Sequence, residues 1–179
     1  MLICKHYNDD CVRFSDNYEG QVDSVVTDPP YGIEYLGNDW DSYQNCIAFK
    51  KSTWESISKP LKPGGYLVIF GASKTFHRLT CAVEDSGLKI KDVLMWLYGQ
   101  GMPKSQNIGK KDPNWEGWGT GLKPCYEPIL LAQKPISEKT IVKNCQKHGV
   151  GGINIEESRL ESGRWAGNVL HDGSEEVEK

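Results

Sequence analysis

The segment VVTDPPYGI, residues 25–33, constrains the fold more than any other stretch of this 179-residue chain. Val25 and Val26 are β-branched and apolar, which predicts a central strand buried on both faces. Pro29 and Pro30 remove two backbone donors and fix two φ angles, so the strand must end there. The sequence therefore predicts an acid and an aromatic ring on a stiff elbow at the carboxyl end of a strand, where open α/β sheets bind ligands.

Short apolar runs recur along the chain and predict further strands. Runs of strand length occur at 1–7, 22–27, 66–71, 88–99 and 126–135. The run YLVIFG is nearly continuous, which is typical of a strand that is covered on both faces.

Amphipathic segments between these runs predict helices. One covers 46–61, and a second covers 73–87, with Ser73 as its possible N-terminal cap and Gly87 at its end. The segment KPGG at 62–65 predicts a turn. Alternating strands and helices are the signature of an α/β sheet with right-handed crossovers.

Composition narrows the class of protein. The net charge is −3, and no apolar run reaches the roughly 18 residues of a membrane span. The first ten residues lack a signal-peptide layout, so we expect a cytoplasmic protein. Six scattered cysteines without a C-x-x-C pair make a zinc site or a disulfide framework a weak hypothesis and indicate free thiols. We expect one domain over 1–170 and a loose acidic tail at 171–179.

A long segment without periodicity separates the last two predicted strands. It covers 99–124 and is rich in glycine, proline and lysine. A loop of this length in a compact domain is usually functional or disordered, and its two tryptophans argue against disorder.

The elbow residues suit a planar substrate that carries an amine. The Asp28 carboxylate accepts hydrogen bonds only, so it can take one from an exocyclic amino group, and a carbonyl of the proline elbow can take a second. Tyr31 can lie flat on a heterocycle, a contact that contributes roughly 1–3 kcal/mol. The alternative is a turn that ends the strand, with the Tyr31 ring filling the core.

Several motifs together resemble a known family. DPPY after an apolar strand is similar to the catalytic motif of the S-adenosylmethionine-dependent DNA amino-methyltransferases, which modify adenine N6 or cytosine N4. The segments PLKPGGYLVIFGASKTFHRL, WLYGQGMPKS, GWGTGLKPCYEPILLAQKP, GGINIEESRL and GRWAGNVLHDG resemble phage-type members in order and spacing. The resemblance implies a Rossmann-like class I methyltransferase sheet in a bacterium or a phage-infected host.

The resemblance implies a catalytic role for the four elbow residues, Asp28, Pro29, Pro30 and Tyr31. Asp28 and the Pro29 carbonyl would grip the target amine, and Tyr31 would stack on a base flipped out of the duplex. S-adenosyl-L-methionine would be the methyl donor, with no metal. A motif that begins with Asp favours adenine N6 in this family. Cytosine N4 and an RNA amine are the less favoured targets.

Asp10 lies in the segment NDDC, where relatives carry an acid near the adenine of the cofactor. The resemblance therefore implies a cofactor contact for Asp10. A solvated turn formed by Asp9 and Asp10 explains the same residues equally well.

The resemblance also assigns the 99–124 loop to recognition of double-stranded DNA. The residues that fall where family members contact DNA are Lys104, Ser105, Lys110 and Lys111. Lysines there would contact phosphates, which supply affinity without reading sequence. Trp115 and Trp118 either join that surface or are hydrophobic anchors that pin the loop, and the second interpretation is slightly favoured.

The resemblance breaks at the cofactor loop. Relatives with this motif order carry D-P-F-x-G-x-G near the C-terminus, and this sequence does not contain it. One interpretation is a truncated or split methyltransferase that is completed by a second chain or by a homodimer. The other is a non-catalytic DNA-binding remnant. Since the missing strands would lie beside the first ones present, both interpretations predict an incomplete sheet with an open edge.

Overall fold

The computed structural model describes residues 4–99, 101 and 105–175. Four α-helices and five strands form within these residues. The helices are α1 (Cys11–Asn17), α2 (Lys51–Ile57), α3 (Phe76–Asp85) and α4 (Ile141–His148). The strands are β1 (Val22–Thr27), β2 (Leu61–Phe70), β3 (Lys89–Leu97), β4 (Tyr126–Gln133) and β5 (Val169–His171).

The five strands form one mixed sheet in the order β1-β2-β4-β3-β5. β1 is parallel to β2, and β3 is parallel to β5. β4 lies between β2 and β3 and runs antiparallel to both, so the alternation of strands and helices does not produce a fully parallel sheet. The α/β class and the incomplete methyltransferase-like sheet are confirmed.

The core lies where α2 and α3 pack against the middle strands. Leu67 and Ile69 of β2 and Leu130 of β4 are fully buried, together with Val83 of α3 and Trp54 of α2. The Trp54 indole Nε1 donates to the Ala48 carbonyl at 2.8 Å, so the ring is buried without an unsatisfied donor. This packing fixes β2, and β2 in turn fixes β1.

The prediction that β1 is a central strand is wrong. Within the described part of the chain β1 pairs with β2 alone, and Val26 on β1 is 69% exposed. An apolar β-branched run fits a central strand and an edge strand equally well, so composition did not distinguish them. The open sheet edge that the resemblance implies is present, and it is the β1 edge.

Four other predicted elements also differ from the structure. Residues 4–7 form no strand, and the Tyr7 ring instead packs on Phe14 of α1 with centroids 4.8 Å apart. The predicted helix over 46–61 is a 3-10 turn (Ile47–Phe49) followed by α2, because the chain from Leu61 onward pairs with β1.

The predicted turn at 62–65 lies inside β2. The pairing of β1 with β2 shifts between Val22 and Ser24, so extra residues of β2 are accommodated without ending the strand. Gly64 with φ of 84° lies in this irregularity. Glycine here marks a bulge, which its sequence signal does not separate from a turn.

The predicted helix over 73–87 begins later than expected. α3 starts at Phe76, and its N-terminal cap residue is Thr75 instead of Ser73. Gly87 follows the helix with φ of 92°, as its position at the predicted end requires. The Thr75 hydroxyl makes no capping bond because it is engaged with the elbow.

No helix within the described ranges is long and apolar enough to cross a membrane.

Candidate active site at the proline elbow

The structure places the predicted elbow directly after the carboxyl end of β1. β1 ends at Thr27, and Asp28 is the first residue beyond it. The Asp28 side chain is exposed, whereas Pro29, Pro30 and Tyr31 are half-buried. The acid is therefore presented to solvent from a backbone that is packed into the domain.

Three buried side chains from three different segments hold the backbone of the elbow, and we call Asp41, Cys46 and Thr75 the elbow clamp. The Cys46 thiol donates to the Pro30 carbonyl at 3.2 Å. The Thr75 hydroxyl donates to the Tyr31 carbonyl at 2.6 Å. The Asp41 carboxylate accepts from the backbone N–H of Gly32 at 2.7 Å. Successive peptide groups are thus fixed in place, as a site that depends on positioning requires.

Asp41 makes the largest contribution to this clamp. Its carboxylate accepts from the backbone N–H groups of Gly32 at 2.7 Å, Ile33 at 3.3 Å and Tyr35 at 3.0 Å, although the residue is only 2% exposed. Burial alone would raise the pKa of Asp41, but these backbone donors lower it below its ordinary value. The carboxylate therefore stays charged and bound.

Gly32 allows the chain to turn from the elbow into the clamp. Its φ of 66° lies in the left-handed region. A Cβ at this position would lie 2.3 Å from the Phe49 ring, so no larger residue fits.

Tyr31 and Asp28 contact each other within the elbow. The pKa of the Tyr31 hydroxyl is raised, first by burial of the ring and then by its hydrogen bond to the Asp28 carboxylate. The hydroxyl therefore remains protonated and donates to Asp28. An incoming amine would compete for the same acceptor oxygens.

The elbow lines two cavities. The first, the edge cavity, has a volume of about 620 Å³ and runs along β1. The second, the elbow cavity, has a volume of about 470 Å³. Asp28, Pro29 and Pro30 line both. Groups bound in the two cavities would therefore meet at the same short stretch of backbone.

The elbow cavity combines aromatic rings with carboxylates. Tyr31, Tyr35 and Trp40 supply the rings, and Glu127 of β4 joins Asp28 and the buried Asp41 as a third acid in its lining. Rings can stack on a planar heterocycle, and carboxylates accept hydrogen bonds from its amino group. This lining suits a flat, amine-bearing ring.

The edge cavity is more apolar and extends to the N-terminal segment. Tyr7 and Phe14 line it, and the Phe14 ring stacks on Tyr18 with centroids 5.2 Å apart. These rings fit an adenine, and Asp28 fits a group that carries positive charge. The lining residues that the structure describes contain no lysine or arginine, so the cavity offers no side-chain cation for a carboxylate. It therefore fits the adenosine and sulfonium parts of the predicted cofactor better than its amino-acid end.

Asp10 is placed beside the edge cavity, where its side chain caps a helix. Its carboxylate accepts from the backbone N–H groups of Val12 at 3.0 Å and Arg13 at 2.9 Å, which makes it the N-terminal cap of α1. The neighbouring Cys11 lines the edge cavity, whereas Asp10 is not part of the lining. A cofactor contact through Asp10 stays a prediction.

The segment between β3 and β4 forms a ribbon that is closed by pairing of its two arms. Asn107 bridges to Gly119, and the Ser105 hydroxyl accepts from the Gly121 N–H at 3.3 Å. Lys110 and Lys111 are exposed near its tip, while the predicted DNA contact Lys104 lies outside the described residues. The Ser105 hydroxyl therefore helps to hold the two arms of the ribbon together.

The two tryptophans of this ribbon pack on each other. The Trp115 and Trp118 rings meet edge to face with centroids 5.2 Å apart, and Trp118 is 61% exposed. This contact within the ribbon is consistent with the slightly favoured interpretation of the two residues as hydrophobic anchors that pin the loop. They stiffen the ribbon tip and leave apolar surface beside the two lysines.

Sequence reasoning missed the elbow clamp and Glu127. Trp40 and Asp41 follow the elbow closely, and an acid in a glycine- and aromatic-rich segment is a signal that could have singled them out. Thr75 and Glu127 carry no such signal, because only the tertiary fold brings them to the elbow.

Comparisons with known proteins identify the family of this chain. The pattern of the N6/N4 DNA methylase family matches residues 22–175. The type II methyltransferase M.HindIII of Haemophilus influenzae is 25% identical over 204 residues, covering 86% of this chain and 65% of that protein. M.HpaI of Haemophilus parainfluenzae is 30% identical over 123 residues, covering 65% of this chain and 34% of that protein.

Two solved structures share the fold. The putative DNA modification methylase TTHA0409 of Thermus thermophilus superposes with a TM-score of 0.56 at 21% identity, covering 92% of this chain and 65% of that one. The cytosine-N4-specific PvuII DNA methyltransferase superposes with a TM-score of 0.56 at 16% identity, covering 94% of this chain and 57% of that one.

The fold and the proline elbow thus define a methyltransferase-like domain. The chain belongs to the N6/N4 DNA methylase family. It spans just under two thirds of the length of M.HindIII and about a third of the length of M.HpaI.

Proposed function

We propose that this chain carries the base-binding half of a DNA methyltransferase that transfers a methyl group from S-adenosyl-L-methionine to the N6 amine of adenine. One observation carries the proposal most directly. Asp28, Pro29 and Pro30 line both the edge cavity and the elbow cavity. A methyl donor in the first cavity and a base in the second would meet across these residues.

The proposed roles follow from the chemistry of the elbow. Asp28 and the Pro29 carbonyl accept the two N–H bonds of the target amine, which aims the nitrogen lone pair at the donor. Tyr31 stacks on the base, and its hydroxyl releases Asp28 as the amine arrives. The elbow clamp keeps these groups in place, since a direct displacement gains most from positioning.

The proposed cofactor supplies the methyl group. Tyr7 and Phe14 of the edge cavity would hold its adenine, and Asp28 would lie nearest its sulfonium end. Since the lining offers no lysine or arginine among the described residues, the amino-acid end of the cofactor needs further contacts. We propose that a complementing chain or segment supplies them at the open edge of β1, or that a second copy of this chain does.

Double-stranded DNA is the proposed macromolecular partner, in the cytoplasm of a bacterium or a phage-infected host. Lys110 and Lys111 are exposed near the ribbon tip, next to the paired tryptophans. Phosphate contacts from such lysines give affinity that does not depend on sequence. Lys104 and Ser105 are proposed to contact DNA as well.

Adenine is favoured over cytosine because the elbow begins with Asp28. The methylated nucleoside that forms distinguishes adenine from cytosine as the target. Unmethylated plasmid DNA is incubated with S-adenosylmethionine, the protein and any complementing chain it requires, and is then digested to nucleosides and analysed by mass spectrometry. We expect N6-methyladenine; N4-methylcytosine in its place would reassign the target, and neither product would favour a DNA-binding protein without activity.

A further inference from the structure

The loop that follows the elbow carries an exposed leucine in an unfavourable backbone conformation. Leu36 is 83% exposed and has a φ of 53°, and Glu34 two residues earlier has a φ of 58°. Residues other than glycine rarely adopt the left-handed region, and such conformations cluster at functional sites. An apolar side chain held out into solvent in this way has no role in the fold of the domain.

Hydrogen bonds at the base of the loop hold this conformation. The Glu34 N–H donates to the Asp41 carbonyl at 2.8 Å, and the Tyr35 N–H donates to the Asp41 carboxylate at 3.0 Å. The Gly37 N–H donates to the Glu34 carbonyl at 2.9 Å. The Asp41 N–H in turn donates to the Asn38 carbonyl at 3.2 Å. Both ends of the loop are thus tied to the same buried residue that positions the elbow, so Leu36 is fixed relative to Asp28 and Tyr31.

Leu36 stands at the rim of the base-binding region. It lines a third cavity of about 440 Å³, the rim cavity, together with Tyr31 and Tyr35. Leu122 of the segment between β3 and β4 lines the same cavity and is 93% exposed. Lys74, Glu34 and Glu127 are its charged lining residues. Two apolar side chains therefore project from separate loops beside the proposed base-stacking ring.

We propose that Leu36 inserts into the DNA duplex and occupies the space that the flipped base leaves. This inference rests on the proposed function. A base must leave the stack before an amine on it can reach Asp28, and unstacking costs free energy. Apolar wedges that enter a base step offset this cost in proteins that deform DNA. Leu36 and Leu122 both border the rim cavity. Of the two, Leu36 is better placed to act as the wedge, because the buried Asp41 fixes its loop.

Substitution of Leu36 separates this role from a structural one. Leu36→Gly removes the side chain and also relieves the left-handed backbone, so the fold should become no less stable. We expect the rate of methyl transfer to duplex plasmid DNA to fall about tenfold or more, since burial of a leucine side chain is lost. Leu36→Met restores an apolar side chain of similar size and should recover most of the rate. Leu160→Ala, a change at an exposed leucine outside the three cavities, is the matched control.

Duplex opening is read independently of methyl transfer. Permanganate oxidises thymines that have lost their stacking, so wild-type protein bound to the plasmid should create reactive thymines, and Leu36→Gly should create fewer. Equal rates and equal thymine reactivity for Leu36→Gly and wild type would overturn the wedge and leave the proposed function intact. Loss of rate in Leu36→Gly together with a lowered melting temperature, or without recovery in Leu36→Met, would also overturn it. Wild-type protein that methylates no DNA, even together with any complementing chain it requires, would overturn the proposed function, and the wedge with it.

Discussion

The Asp41 carboxylate accepts a hydrogen bond from the Gly32 backbone N–H at 2.7 Å, in a buried position directly behind the elbow. This bond joins the residue after the proposed catalytic tetrapeptide to the far end of the loop that carries Leu36. It therefore couples the geometry of Asp28 and Tyr31 to that of Leu36. Both the proposed chemistry and the proposed duplex opening depend on Asp41.

Replacing Asp41 tests this coupling. Asp41→Asn turns an acceptor oxygen into a donor that faces backbone N–H groups, so we expect the free energy of unfolding to fall by about 3 kcal/mol. Urea unfolding at neutral pH measures the change. Asp39→Asn, an exposed carboxylate two residues earlier, is the control and should cost much less. Equal stability losses in the two variants would contradict the clamp.

The pH dependence of stability carries the signature of the same residue. The pKa of Asp41 is lower in the folded protein than its ordinary value, because backbone donors outweigh the effect of burial. Its contribution to stability is therefore complete above the unfolded-state pKa and is lost as the pH falls through the folded-state pKa. The free energy of unfolding, measured at a series of pH values from neutral to acid, should therefore change less with pH for Asp41→Asn than for wild type. Parallel curves would show that Asp41 makes no such contribution.

A comparison of Gly32→Ala with Gly37→Ala separates the cost of an unfavourable backbone conformation from the cost of overpacking. The added Cβ meets the Phe49 ring at 2.3 Å and also requires a φ of 66°. Gly37→Ala requires a φ of 74° with nothing within 4 Å of its Cβ. We expect the unfavourable backbone conformation to lower the free energy of unfolding by about 1–2 kcal/mol in both variants. Overpacking should lower it further, by about 1–3 kcal/mol, in Gly32→Ala alone. Thermal unfolding checks the difference, and identical melting temperatures would contradict the packing argument.

The open edge of β1 predicts self-association. Val26 is 69% exposed on a strand whose outer backbone groups have no neighbouring strand in the described part of the sheet. A charge on an edge strand discourages pairing with another chain, so Val26→Lys should shift the protein toward monomer in light scattering. Val142→Lys on α4, another exposed valine, should leave association unchanged. A wild-type protein that is monomeric at every concentration would contradict this account of the edge.

The sequence predicted the elbow because its determinants are local. Two β-branched residues followed by two prolines fix where β1 ends whatever surrounds them, and the structure agrees. The same local signals failed at 62–65, where Gly64 belongs to a bulge whose existence depends on pairing with β1. They also failed to show that β1 is an edge strand, since burial is decided by the neighbours of a strand.

The elbow clamp could not be predicted because two of its three residues lie far in sequence from the carbonyl groups they bind. Thr75 reaches the Tyr31 carbonyl across 44 positions of sequence, and Cys46 reaches the Pro30 carbonyl across 16. Such contacts follow from how α3 and the 3-10 turn pack on the sheet. Asp41 alone lies close enough in sequence to the elbow to have been a candidate.

The central claim is that Asp28 grips the amine that is methylated, and single-turnover methyl transfer by Asp28→Ala tests it most directly. The exposed side chain makes few contacts with the fold, so the variant should unfold at the wild-type temperature and still bind duplex DNA. Wild-type protein, with any complementing chain it requires, should transfer the methyl group of labelled S-adenosylmethionine to adenine. The account predicts that Asp28→Ala loses about 100-fold or more of that rate. An Asp28→Ala variant that transfers methyl groups at the wild-type rate would contradict it.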